Sequence, residues 1–362
     1  MGQPLWSGQF SRRRPNSSLR VLSAEPPGVE GRGHCGHFHH RAGGSVTGPL
    51  LVTGGSGLLG RAVRRLRPDG VYLSSRDGDL RDRGVAEQLL RSIRPGRILH
   101  LAGVVGGVKA NAADNARFLE ENILINTAVL SAARQLRIPR LTAMLSSCAF
   151  PMFADRPTTE ADVQNAMPYD GNAGYAYAKR MLDLHVGLAA KEAGLMWNSL
   201  TPVTMYGPHD SFDLESGHVV GALIRRCHDA RTHGTAFTVW GTGRAIRQFV
   251  YVDDVARLAL GALSGGWGSG TTIVTPDEGV SIAHLARTIG RVMNYSGPIV
   301  FDDTKPEGML VKRLRSTTFD ERFPGHRFTS LTDGLTEAVR WFLSREVGRS
   351  QYHPESSMCG HS

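Results

Sequence analysis

The sequence predicts an α/β protein built on a doubly wound parallel sheet. Two observations predict it: short apolar strands alternate with helical stretches from residue 50 onward, and a glycine-rich turn joins the first strand to the first helix. Leu50-Leu51-Val52-Thr53 reads as a buried strand, and Gly54-x-x-Gly57-x-x-Gly60 then opens a helix through Ala62, Val63 and Leu66. Val71-Tyr72-Leu73 is the second strand and residues 83 to 93 the second helix. Ile98-Leu99-His100-Leu101 follows as a strand, residues 112 to 135 as a long helix, Leu141 to Leu145 as the fourth strand, and residues 175 to 195 as another long helix.

Composition bounds the rest. With 41% apolar, 21% charged and 7% aromatic residues in 362, the chain lies in the globular range, and no apolar run approaches the ~20 residues that span a bilayer. The net charge of +9 is uneven, because residues 1–45 hold six arginines against Glu25 and Glu30. No aromatic residues interleave those arginines as stacking platforms, so no nucleic-acid partner is expected. Residues 1–46 are rich in Gly, Pro, Ser and Arg and show no hydrophobic period, which predicts a disordered basic extension. Its opening resembles an organellar presequence, and Arg12-Arg13-Arg14 resembles a twin-arginine signal that lacks the apolar segment. The four cysteines, Cys35, Cys148, Cys227 and Cys359, have no paired spacing, so neither a disulfide framework nor a structural zinc site is expected. A reducing, cytoplasmic setting fits them.

The glycine turn carries the first chemistry. Gly54, Gly57 and Gly60, with Ser56 between them, form a tight turn that lets the backbone approach a pyrophosphate at a helix N-terminus, as in a Rossmann dinucleotide fold. The end of the second strand reads the adenosine ribose, and there the chain offers Ser74-Ser75-Arg76 instead of a carboxylate. A cation at that point pairs with a 2′-phosphate, so NADP is expected over NAD, with Arg76 and nearby Leu80 on the cofactor. The fourth strand runs into Ser146-Ser147-Cys148, and Tyr175-x-x-x-Lys179 opens a helix. Positions four apart share a helix face, so Lys179 is expected to lower the Tyr175 pKa and fit the phenol to protonate a carbonyl oxygen as hydride arrives, with Ser146 sharing that oxygen.

With those residues in place the chain resembles the extended short-chain dehydrogenases/reductases that act on nucleotide sugars. The closer resemblance is to members that epimerise and reduce a GDP-linked 4-keto-6-deoxy sugar, and it covers residues 49 to about 345. It is carried by Val104-Val105-Gly106-Gly107-Val108, Ser146-Ser147-Cys148-Ala149-Phe150-Pro151, Tyr206-Gly207-Pro208-His209-Asp210, Gly217-His218-Val219, Val239-Trp240-Gly241-Thr242-Gly243 and Lys305-Pro306-x-Gly308. The resemblance implies 3,5-epimerisation of GDP-4-keto-6-deoxy-D-mannose followed by NADPH-dependent reduction at C4. Cys148 then acts as base, His218 as acid and Tyr175 as proton donor. Cys148 follows Ser146 by two on a strand-like segment, which projects both side chains toward one pocket. Another nucleotide-sugar 4-reductase or epimerase is the alternative. Dehydratases of this superfamily place Asp and Glu just after the strand-end hydroxyl residue, where Cys148-Ala149 stands here. Ser56 replaces a basic residue found inside the glycine turn of bacterial relatives, leaving Arg76 with more of the 2′-phosphate.

The second half must hold the nucleotide. Arg226, Arg247 and Lys305 are the expected diphosphate ligands, with Lys312 as rival to Lys305, and Trp240, on a glycine-rich loop, is placed against the base or ribose. Asp253-Asp254 reads as helix capping and Cys227 as structural. The domains expected are a Rossmann domain over 47–202 with returning segments, a mainly substrate-binding α/β domain over 203–345 and a disordered tail over 346–362. Apolar residues on more than one face of the long helices, among them Phe118, Ile123, Ile125, Val129 and Leu130, together with the family resemblance, point to a homodimer.

Overall fold

The computed structural model describes residues 47–350 except 154, 215–216, 266 and 306. The expectations for residues 1–46 and for the tail beyond 350 lie outside the described residues. The first half alternates strand and helix: β1 (Leu50–Thr53), α1 (Leu58–Leu66), β2 (Val71–Leu73), α2 (Arg83–Ile93), β3 (Arg97–His100), α3 (Val108–Ala113), α4 (Asn115–Gln135), β4 (Arg140–Met144), α5 (Ala173–Ala193) and β5 (Met196–Pro202). The second half adds β6 (Thr204–Tyr206), α6 (Val219–His233), β7 (Phe237–Trp240), β8 (Ile246–Arg247), β9 (Phe249–Tyr251), α7 (Val252–Ser264), β10 (Thr271–Val274), β11 (Val280–Ser281), α8 (Ile282–Val292), β12 (Ile299–Asp302), α9 (Phe319–Arg322) and α10 (Leu331–Ser350).

Six strands form one parallel sheet in the order β10-β5-β4-β3-β1-β2. Both faces are covered, which is why these strands read as continuous apolar runs. Along β1, Leu50 and Val52 face a core shared with α1, α6, α7, α8 and α10, while Leu51 faces a second core with α2, α4 and α5. Because every strand runs the same way, Thr53, Leu73, His100 and Met144 end on one edge, and the chain turns there into the segments that carry the chemistry. After β5 the chain builds three two-stranded ladders, β6 with β9, β7 with β12 and β8 with β11, and returns α7 and β10 to the large sheet.

Local chemistry sets several boundaries. Asp82 caps α2, accepting from Gly84 N at 2.7 Å and Val85 N at 3.1 Å. The helix expected over 112–135 is split, because the Asp114 side chain accepts from Arg117 N and restarts the helix as α4. The cap of α7 is Tyr251 and not the Asp253-Asp254 pair. Asp254 is fully buried in the first turn and accepts from Thr329 N at 2.8 Å, tying down the segment before α10. Helix α10 continues through Ser350, past the boundary expected at 345, and Glu346 forms a two-pronged pair with Arg225 at 2.9 Å.

Candidate active site

The first component is the glycine turn between β1 and α1. Gly54 has φ +73°, and an added Cβ would fall 2.8 Å from the amide nitrogen of Ala102. At Gly60 an added Cβ would collide with the carbonyl oxygen of Gly54 and lie 2.7 Å from the Gly55 Cα, so only glycine allows α1 to approach the turn. Gly57 caps α1 without a side-chain hydrogen bond, leaving the first amides of the helix open to an anion. At the end of β2, Asp77 accepts from Ser74 N and Oγ, and Asp79 pairs with Arg81. Arg76 is exposed and forms no ion pair among the described residues, as a 2′-phosphate ligand requires. The Leu80 side chain is buried in the second core and so does not itself face a nucleotide, unlike the exposed Arg76. A closed glycine cradle, open helix amides and an uncommitted arginine together fit NADP.

The second component gathers at the end of β4. Ser146 caps a single 3-10 turn, Ser147–Ala149, and its Oγ accepts from Cys148 N at 3.3 Å. This corrects the strand-like reading, since Ser146 and Cys148 are brought together by a turn and not by strand alternation. Ser146 and Cys148 both lie close enough to the Tyr175 phenol to affect it electrostatically. Lys179 is buried beneath, its Nζ donating to Met144 O at 2.8 Å and lying 5.7 Å from the Tyr175 ring centroid. Burial brings Lys179 down to about 8. The expected lowering of Tyr175 is also corrected: its desolvated phenol is held well above the ordinary tyrosine value, the nearby Cys148 adding to this and the neighbouring Ser146 hydroxyl only partly offsetting it. Buried tyrosine is therefore protonated at neutral pH, the form a proton donor needs.

Lys312 reaches the same place from the second half, its Nζ 4.0 Å from Cys148 Sγ. Backbone pairing fixes it there: Ile246 N donates to Leu310 O at 2.8 Å and Lys312 N to Ile246 O at 3.2 Å. That pairing also sets Lys312 beside Arg247, a partly buried residue of β8. Lys305, by contrast, is exposed on the turn after β12. Trp240 is not on a loop but ends β7, where it is 42% exposed with the Arg226 guanidinium 4.1 Å from its ring centroid. His218 caps α6, and its Nδ1 lies 3.3 Å from Asp210 Oδ1. Among the described residues no hydrogen bond joins His218 to the Cys148–Tyr175 group.

Several supporting residues escaped the sequence reading. Asn122, fully buried on α4, accepts from Val104 N and donates to Val104 O, both at 3.0 Å, and so clamps the loop that passes over Lys179. One turn on, Asn126 faces His100 Nε2 at 3.1 Å, while Thr53 Oγ1 lies 2.8 Å from His100 Nδ1. Thr53 Oγ1 accepts from Leu101 N and Ala102 N, so its proton goes to His100 Nδ1 and the ring's own proton sits on Nε2. Burial pushes this histidine down to about 4 and keeps it neutral. Two asparagines four apart on an otherwise apolar helix face were the available signal.

Comparisons with known proteins identify the family. The family model described as "NAD dependent epimerase/dehydratase family" matches residues 50–266. The GDP-L-fucose synthase of Dictyostelium discoideum is 32% identical over 303 residues, covering 81% of this chain and 95% of that protein. The Escherichia coli GDP-L-fucose synthase is 31% identical over 312 residues, covering 82% and 97%. A solved GDP-L-fucose synthetase from Naegleria fowleri bound to NADP superposes with a TM-score of 0.78 at 33% identity, over 82% of this chain and 93% of that one. The chain therefore belongs to the NAD dependent epimerase/dehydratase family, among its GDP-L-fucose synthase relatives.

Proposed function

We propose that the chain converts GDP-4-keto-6-deoxy-D-mannose to GDP-L-fucose, by inverting C3 and C5 and then reducing C4. The observation that carries this reading is the thiol of Cys148, placed by one turn beside Ser146 and Tyr175 and facing Lys312 at 4.0 Å. A plain reductase needs the Ser, Tyr and Lys; the thiol adds a group able to take a proton from carbon. Protons on C3 and C5 flank the C4 ketone and are acidic. Cys148 removes them, Ser146 and Tyr175 stabilise the enolate oxygen, and His218 returns a proton from the opposite face.

The Gly54–Gly60 turn and Arg76 would hold NADPH, which when bound would supply hydride for C4. Tyr175 then gives its proton to O4, with Ser146 sharing that oxygen and Lys179 holding its charge below the ring. Arg226, Arg247 and Lys312 are the cations for the diphosphate, and the exposed face of Trp240 takes base or ribose. Proton NMR of the product formed with NADPH tests the reading: an L-fucose-configured sugar supports it, and a D-configured reduced sugar overturns it.

No described helix is long and apolar enough to cross a membrane. We place the enzyme in the cytoplasm, which keeps Cys148 a free thiol. We also propose a homodimer, on different residues from those the sequence offered. Phe118, Ile125, Val129 and Leu130 are buried within this chain, whereas Leu124, Met181, Leu184 and Leu188 remain 47–51% exposed on α4 and α5. Met181, Leu184 and Leu188 form one helical stripe that a second copy of the same face would cover. Light scattering tests this: a dimer is expected, and a monomer contradicts it.

A further inference from the structure

Asp210 ends the turn Tyr206-Gly207-Pro208-His209-Asp210, in which Asp210 N donates to Gly207 O at 3.2 Å. The turn is closed by two left-handed residues, Gly207 at φ +153° and His209 at φ +72°. The His209 ring is seated against Trp341 with centroids 4.6 Å apart. Beyond the turn, Ser211 and Asp213 lie against the start of α6: an added Cβ at Gly217 would strike the carbonyl oxygen of Asp213, and one at Gly221 that of Ser211. Glycine at both positions thus lets the loop close onto the helix. The closure presses the Asp210 carboxylate, 4% exposed, against the ring of His218.

The pairing is specific. Asp210 Oδ1 lies 3.3 Å from His218 Nδ1 and also accepts from Ser211 N at 2.8 Å, while buried Oδ2 has no hydrogen-bond partner among the described residues. A carboxylate can only accept, so Nδ1 carries the proton it shares and Nε2 is left for the cleft. His218 also caps α6, where the helix dipole opposes a positive ring. A buried carboxylate oxygen without a donor favours that same positive charge.

We propose that Asp210 is a positioning residue for the epimerisation: it fixes the His218 tautomer and supplies the counter-charge that keeps a transferable proton on Nε2. The inference rests on His218 as the acid of the proposed function. The surroundings agree, since His218 is raised above the ordinary histidine value, with its hydrogen bond to Asp210 as the largest cause. Asp210 also supplies a Coulombic attraction that raises it, against the lowering effect of burial. Arg226 lies further along the same helix, and Arg61, Arg65 and Arg345 act on His209 instead.

Two measurements test it. Histidine NMR titration of the wild-type protein, with His218→Gln as the assignment control, is expected to give His218 a midpoint above 6.5; a midpoint at or below that value overturns the proposal. In Asp210→Asn the His218 midpoint is expected to fall by about one pH unit or more. The pH profile of deuterium uptake at C3 and C5 should move down with it, whereas that of the hydride step should stay in place. Equal midpoints in the two proteins, or a common shift of both profiles, contradict the role. The titration needs no substrate, so it can fail or succeed independently of the function assigned above.

Discussion

Lys179 Nζ donates a 2.8 Å hydrogen bond to the carbonyl oxygen of Met144, so the buried cation of α5 is pinned to the strand that delivers Ser146. This bond sets the depth of the ammonium beneath Tyr175 and leaves it desolvated.

A pH dependence follows. Above about 8 native Lys179 has lost its proton, while the unfolded chain keeps it up to the ordinary value of 10.5. Across that window the unfolded state binds more protons, so stability rises with pH. In Lys179→Met this contribution disappears. Urea melts of both proteins at pH 7.5 and 9.5 measure it, and an identical pH response in the variant contradicts the burial argument.

Glycines divide by what surrounds them. Gly60→Ala places a methyl against Gly54 and Gly55 and is expected to cost about 1–3 kcal/mol and to weaken NADPH binding. Gly187 lies inside α5 with nothing within 4 Å of an added Cβ, so Gly187→Ala is expected to stabilise by about 0.5–1 kcal/mol. Thermal melting with and without NADPH checks both signs.

Much of this was readable beforehand, and the failures have physical causes. The residues of β1 through β4 announce themselves because both faces of a parallel sheet are buried, as Leu50, Leu51 and Val52 illustrate. Helix α2 begins where expected because Asp82, just before its apolar period, caps it. The position of Cys148 was found for the wrong reason, since a 3-10 turn is indistinguishable from a strand end over three residues. Lys305 and Lys312 could not be separated in sequence because the ladder with Ile246 that brings Lys312 to Cys148 is a tertiary pairing. The shift of Tyr175 was misjudged because spacing reveals a nearby cation but not the desolvation that outweighs it.

The two lysines give a direct contrast. Lys312→Ala is expected to raise KM for the GDP-sugar at least tenfold, through a lost charge-assisted phosphate contact, while Lys305→Ala stays within about twofold. Steady-state kinetics at fixed NADPH decide it, and the reverse order contradicts the placement of Lys312.

Arg76 should govern cofactor choice. Arg76→Ala is expected to raise KM for NADPH about 10- to 100-fold with little effect on NADH, because only the 2′-phosphate needs the cation. Equal losses for both cofactors would place Arg76 outside the phosphate site.

The central claim is that Cys148 takes protons from carbon. The most direct measurement is deuterium uptake by GDP-4-keto-6-deoxy-D-mannose in heavy water without NADPH, read by proton NMR for wild type and Cys148→Ser. The account predicts exchange at C3 and C5 with wild type and its loss, by about 100-fold or more, in the variant. Exchange at the wild-type rate in Cys148→Ser would contradict it.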